Sequence, residues 1–173
     1  EVCGHDVRQA GAAHRARVAY VVGDERSFSW RLSGRHNLEF FAALHGHAPR
    51  EARACIDGLL DQVGATDYAD RPFREYSSGM RQRFALARGL LSDPQVLLLD
   101  DPTRSLDPAA AAALRALIRD RLARGAGRTV ILATHDLSVV RAACDRVAVM
   151  AGGRVEATVA PGEAHRYLGV SDV

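Results

Sequence analysis

Lysine is missing from this chain: all 23 basic residues are arginine. Any chemistry that needs a lysine from these residues is therefore excluded. Aromatic residues make up only 6% of the sequence, too few for a stacking surface on single-stranded nucleic acid. Excess charge is nearly absent as well. The net charge of +2 gives no argument for a nucleic-acid partner or an anionic membrane. The three cysteines, Cys3, Cys55 and Cys144, are odd in number and far apart, with no C-x-x-C and no Cys/His pair at ligand spacing. That excludes a disulfide framework and a zinc site, and reads as reduced thiols in a cytosolic protein. No apolar run approaches the roughly 18 residues of a membrane span. The first residues, EVCGHDV, have neither a basic nor an apolar leader region, so no signal peptide is expected.

What is present suits one globular domain. The chain has 173 residues, 47% hydrophobic and 25% charged, and a chain of about 150 residues buries roughly 70% of its unfolded surface. Residues 16–22 (ARVAYVV) read as a strand. Residues 34–45 and Pro49–Val63 carry apolar positions at helical spacing, the second with Pro at its start and Gly64 as its stop. Residues 77–91 form a helix opened by a Ser-Ser-Gly cap. Residues 96–99 are four apolar residues in a row, a strand buried on both faces of a parallel sheet. Residues 108–123 read as a helix, Thr129–Ala133 as another buried strand, and 136–143 as a short helix capped by Asp136. Residues 146–150 and Arg154–Val159 read as strands joined at Gly152-Gly153. Alternating strands and helices predict an α/β domain with a mainly parallel sheet. In such sheets the chemistry sits past the carboxyl ends of the strands.

Three features stand there. VLLLDDP places Asp100 and Asp101 at a strand end. Two adjacent carboxylates call for a partner, and a divalent cation such as Mg²⁺ takes one or two of them with waters and phosphate oxygens; a simple turn at Asp101-Pro102 is the plainer alternative. TVILATHD puts His135 past a second strand, where a hydrogen-bonded loop histidine is as natural as a catalyst. Central strands of one sheet would deliver Asp100, Asp101 and His135 to the same crevice. YSSGMRQR sets small residues at a helix N-terminus, which either binds phosphate or merely caps the helix.

In order, YSSGMRQRFALARGLLSDPQVLLLDDPTRSLDP resembles, without a gap, the signature motif, the helix after it, the Walker B strand and the D-loop of the ATP-binding cassette (ABC) ATPases. THDLSVVRAACDRVAVMAGGRV resembles the switch-histidine segment and two closing strands of that family. VAYVVGDERSFSWRLSGRHNLEFFAALHG resembles its Q-loop and the start of its helical subdomain, in a wording similar to drug and polysaccharide exporters with a separate membrane subunit. The resemblance covers about residues 18–159. It implies a P-loop NTPase-like parallel sheet flanked by helices, with a small helical signature subdomain at about 28–92, an α/β core from 1–27 and 93–160, and a tail at 161–173.

It also implies ATP and Mg²⁺ as cofactors and a head-to-tail dimer with a second ABC ATPase domain. A membrane-spanning permease would be the other partner, with no nucleic acid, on the cytoplasmic face of the cell membrane. Ser77, Ser78 and Gly79 would touch the γ-phosphate of ATP held by the second domain. Asp100 would hold the Mg²⁺ water shell, Asp101 would take the place of the family's water-activating glutamate, and His135 would contact the γ-phosphate. Asp107 would lie in the D-loop at the dimer interface, and Gly23 with Asp24 at the Q-loop.

This sequence departs from the family in four places. The P-loop, G-x-x-x-x-G-K-[ST], needs a lysine, so a piece lacking its N-terminal part is expected. Asp101 is shorter than glutamate by one C–C bond, about 1.5 Å. Gly23 replaces the Q-loop glutamine, and Ser78 and Met80 stand where Gly and Gln are commoner. The expected function is the ATP-hydrolysing subunit of a membrane exporter. The alternatives are a degenerate cassette that supplies only the signature half-site to a partner, and an ABC ATPase acting on DNA or the ribosome.

Overall fold

The computed structural model describes residues 1–9, 11, 16–22 and 27–167. Gly23 and Asp24 lie outside the described residues. The chain divides into two compact units, Glu1–Ala133 and Thr134–Val173.

The first unit holds three parallel strands, β1 (Val18–Val22), β2 (Val96–Asp100) and β3 (Thr129–Ala133), in the order β1-β2-β3. Tyr20, Leu98 and Ile131 are level across the sheet, as are Val22, Asp100 and Ala133. The single central strand therefore ends on Asp100. Side chains alternate between faces along a strand. Ala19, Val21, Leu97 and Leu99 are buried, and Val130 and Leu132 pack against the same core.

Between β1 and β2 run three helices, α1 (Gly34–Leu44), α2 (Pro49–Val63) and α3 (Ser78–Gly89). Ser33 caps α1, its hydroxyl oxygen accepting from the His36 amide at 3.1 Å. Pro49 opens α2 with its fixed φ, and Gly64 ends it in the left-handed conformation at φ 65°. Helix spacing gathers Leu38, Ile56, Leu60, Phe84 and Leu86 into one core with Phe73 of the turn before α3 and Leu97 and Leu99 of the sheet. Each such side chain, fully buried, contributes about 1.5–3 kcal/mol. Helix α3 lies close on β1 because residue 89 has no side chain: a Cβ there would stand 2.7 Å from Val21 Cγ2.

Gly34 makes a second close approach, and it yields a test. A Cβ at Gly34 would overlap the Phe84 ring and the Tyr76 hydroxyl, both buried. Tyr76 cannot yield, since its hydroxyl donates to the carbonyls of Tyr68 (2.7 Å) and Ala69 (3.2 Å). Burial is also the main reason its phenol is pushed up to about 12. Gly34→Ala is expected to destabilise the protein by about 1–3 kcal/mol through overpacking, read as a lower urea midpoint at unchanged slope. An unshifted midpoint would mean that α1 re-seats freely.

One expectation needs correction. Residues 96–99 read as a strand buried on both faces and Thr129–Ala133 as a buried strand, but Leu98 is only half-buried and Ile131 is 57% exposed, and Tyr20 beside them on β1 is 61% exposed. No described element covers that face. A groove of ≈ 760 Å³, lined among others by Val18, Val96, Leu98 and Ile131, runs along it. The helix expected over 108–123 keeps α-form only as α4 (Pro108–Ala116); Leu117–Gly125 continues it as a π-helix. Leu117, Ile118 and Leu122 of that segment are all buried.

In the second unit, Asp136 caps α5 (Leu137–Ala143), its Oδ1 accepting from the Ser138 amide at 2.8 Å. Strands β4 (Val147–Ala151) and β5 (Arg154–Val159) pair antiparallel. They turn at Gly152 and Gly153, both at positive φ, as a tight hairpin demands. The 3-10 segment Pro161–Tyr167 packs on α5 and β4.

Candidate phosphate site

The site is built on the end of β2. Asp100 is the last residue of the central strand, paired on one side with Val22 and on the other with Ala133. Its side chain is exposed, and its Oδ2 accepts a hydrogen bond from the Tyr20 hydroxyl at 2.9 Å. That bond, with burial and the Asp100 charge adding to it, raises the Tyr20 phenol above its ordinary value.

Asp101 leaves the strand. Its amide still donates to the Ala133 carbonyl at 2.9 Å, but its φ is 44°, and its own carbonyl accepts from the Arg104 amide at 3.0 Å. Asp is among the few residues that enter this left-handed region readily. The backbone of Asp101 is thus held at both of its polar groups, which fixes where its half-buried side chain starts. Ser105 also has positive φ, at 64°. Leu106 packs against the core, and Asp107 then starts α4 with its Oδ1 accepting from the amides of Ala109 (3.0 Å) and Ala110 (2.9 Å).

A second patch forms at the start of α3. The Ser77 oxygen accepts from the Met80 amide at 3.2 Å, which leaves the hydroxyl proton free to be donated elsewhere. Ser77 and Ser78 are exposed. Gly79 lies so close to α4 that a Cβ on it would stand 3.3 Å from Ala110 Cβ. The structure therefore brings Ser77 and Gly79 together with Ala110 in the first turn of α4, around a small cavity of ≈ 310 Å³ that Tyr68, Arg83 and Leu106 also line. It brings Asp100 together with Asp101 and Tyr20. His135 belongs to the second unit, exposed in the turn before α5, where the Asp136 amide donates to Thr134 Oγ1 at 3.1 Å.

Among the described residues, no group of three or more His, Cys, Asp or Glu gathers as a metal cage. An exposed carboxylate with one oxygen on Tyr20 suits Mg²⁺, which takes one or two carboxylates and fills its other positions with waters and phosphate oxygens. Tyr20 is the neighbour that sequence reading missed. Its contact with Asp100 depends on strand order and register, for which VAYVV carries no local signal.

Comparison with known proteins supports the same ground. A family described as "AAA domain, putative AbiEii toxin, Type IV TA system" matches residues 7–141. The daunorubicin resistance ATP-binding protein DrrA3 of Streptomyces coeruleorubidus is 40% identical over 155 residues, which are 90% of this chain and 48% of that protein. The Nod factor export ATP-binding protein I of Ralstonia nicotianae is 34% identical over 169 residues, 97% of this chain and 50% of that protein. The solved structure of cbiO1 from Clostridium perfringens, part of the ABC transporter complex cbiONQ, superposes with a TM-score of 0.80 at 31% identity, over 89% of this chain and 61% of that one. The chain spans about half the length of the curated relatives it matches. With an AAA-type family match over most of its length and ABC relatives in both sequence and fold, this chain belongs to the ATP-binding cassette ATPases.

Proposed function

We propose that these residues form the signature and Walker B part of an ATP-hydrolysing subunit that powers an ABC-type exporter through a separate membrane subunit, on the cytoplasmic face of the membrane. The observation that carries this reading is the placement of Asp100 and Asp101 at the end of the central parallel strand. Among the described residues no helix is long and apolar enough to cross a membrane, so the transport path would come from a permease. Phe40 and Leu44, exposed and one turn apart on α1, suit an apolar helix of such a permease.

In this reading two ATPase domains pair head to tail. The exposed start of α3 offers backbone N–H groups and the Ser77 and Ser78 hydroxyls to the γ-phosphate of ATP carried by the second domain. Asp100 would hold Mg²⁺ through its waters; the bound ion would neutralise charge on the phosphate oxygens. Asp101 orients the attacking water and takes up its proton. His135 donates to the γ-phosphate, and Asp107 lies at the interface. Positioning and charge do most of the work in phosphoryl transfer. A second reading, a cassette that lends only its signature face, draws on the short carboxylate at Asp101. The activity of Asp101 variants separates the two.

The open face of the sheet suits a helix from sequence outside these residues, since parallel sheets are covered on both faces. The phosphate-gripping lysine would arrive with that sequence. Two outcomes follow. By itself the chain is expected to bind MgATP weakly, with a Kd above about 0.1 mM, or less than about 5.5 kcal/mol; a low-micromolar Kd by calorimetry would contradict this. Joined behind a relative's P-loop segment, it is expected to release phosphate from MgATP. A joined protein that folds and binds MgATP but releases none would overturn the reading as an ATPase.

A further inference from the structure

On the open face of the sheet, Tyr20 and Asp100 form a diagonal pair. Tyr20 is level with Leu98, and Asp100 lies two residues further along β2, so both side chains leave the sheet on the same side. Diagonal neighbours stand about 7–8 Å apart, within reach of an aromatic side chain. The Tyr20 hydroxyl closes that gap at 2.9 Å from Oδ2, an ordinary O–H···O distance. Among the described residues no packing partner accounts for this tyrosine. It is 61% exposed and outside the buried core. A phenylalanine would keep its ring and lose only the bond.

Resting on the reading of Asp100 as the holder of the Mg²⁺ water shell, we propose that Tyr20 is a positioning residue. Its hydroxyl holds the Asp100 carboxylate in one orientation, with Oδ2 engaged and Oδ1 left for the metal's waters. Hydrogen bonds that orient a metal-binding group from behind typically change metal affinity by about 10–100-fold when removed.

The experiment uses the chain as it is, with Mn²⁺ as the probe in the presence of ATP. Binding at this site is read as paramagnetic broadening of the Leu99 and Asp101 amide signals. The Asp100 carboxyl ¹³C shift is read without metal. Tyr20→Phe is expected to move that ¹³C shift, to raise the Mn²⁺ needed for half-broadening about tenfold, and to leave the thermal unfolding midpoint in place. In the Asp100→Asn background, Tyr20→Phe is expected to add no further loss, because both changes remove one interaction. An unmoved ¹³C shift, an unchanged Mn²⁺ requirement, or additive losses in the double variant each overturn the proposal. Broadening that persists in Asp100→Asn, with the ¹³C shift still moved by Tyr20→Phe, overturns the reading of Asp100 instead and shows the hydrogen bond without a metal role.

Discussion

Asp101→Asn is expected to remove at least about 99% of ATP turnover, in a protein that joins this chain to a relative's P-loop segment, while ATP affinity changes little. A general base in position contributes about 10²–10⁴-fold, and the amide cannot take up a proton. Asparagine is the right replacement on structural grounds. Residue 101 sits at φ 44°, a conformation Asn enters as readily as Asp. The two hydrogen bonds that fix its backbone, to Ala133 and from Arg104, do not involve the side chain. His135→Ala is expected to act in the same direction. Steady-state phosphate release gives kcat, and calorimetry gives the ATP affinity. If binding and turnover fall together, these residues are structural. If Asp101→Asn keeps full turnover, the water is oriented by another group.

Much of this was legible before any coordinates, because the physics involved is local. The apolar run VLLLD is a strand for the same reason in sequence as in space. Ser77 and Asp136 are readable as helix starts, since capping depends on residues two or three positions away. The Gly152-Gly153 turn needs only its own dihedrals. What escaped the sequence is non-local. Ile131 looks like a buried residue in TVILA, yet whether a sheet face is covered depends on sequence far from it, and here no described element covers it. The bond from Tyr20 to Asp100 spans 80 positions in the chain and follows from a register that no short window encodes. Asp101 reads as a candidate site residue in the sequence through the family resemblance, whereas its left-handed backbone has no signal there.

Asp101→Glu is the substitution in which that backbone and the chemistry pull against each other. The longer side chain advances the carboxylate toward the attacking water by one C–C bond, about 1.5 Å, with its charge at neutral pH unchanged. A misplacement of about 1 Å costs roughly 10²-fold in rate, so closing it is expected to raise turnover about 10- to 100-fold, or about 1.4–2.7 kcal/mol of barrier. Against this stands φ 44°, where a side chain without the local hydrogen bonding of Asp is disfavoured by about 1–2 kcal/mol. The two effects fall on different quantities. Strain at residue 101 is present in ground state and transition state alike, provided the bonds to Ala133 and Arg104 keep the backbone where it is, so it lowers the unfolding midpoint rather than the rate. The expected result is therefore a faster and less stable enzyme with nearly unchanged KM. The measurement is phosphate release beside a urea titration, on the joined protein with Asp101 and on its Asp101→Glu variant. Equal rates with a lowered midpoint would mean that the left-handed turn already carries the shorter carboxylate to the water, and that Asp at this position is an adaptation of the loop rather than a defect.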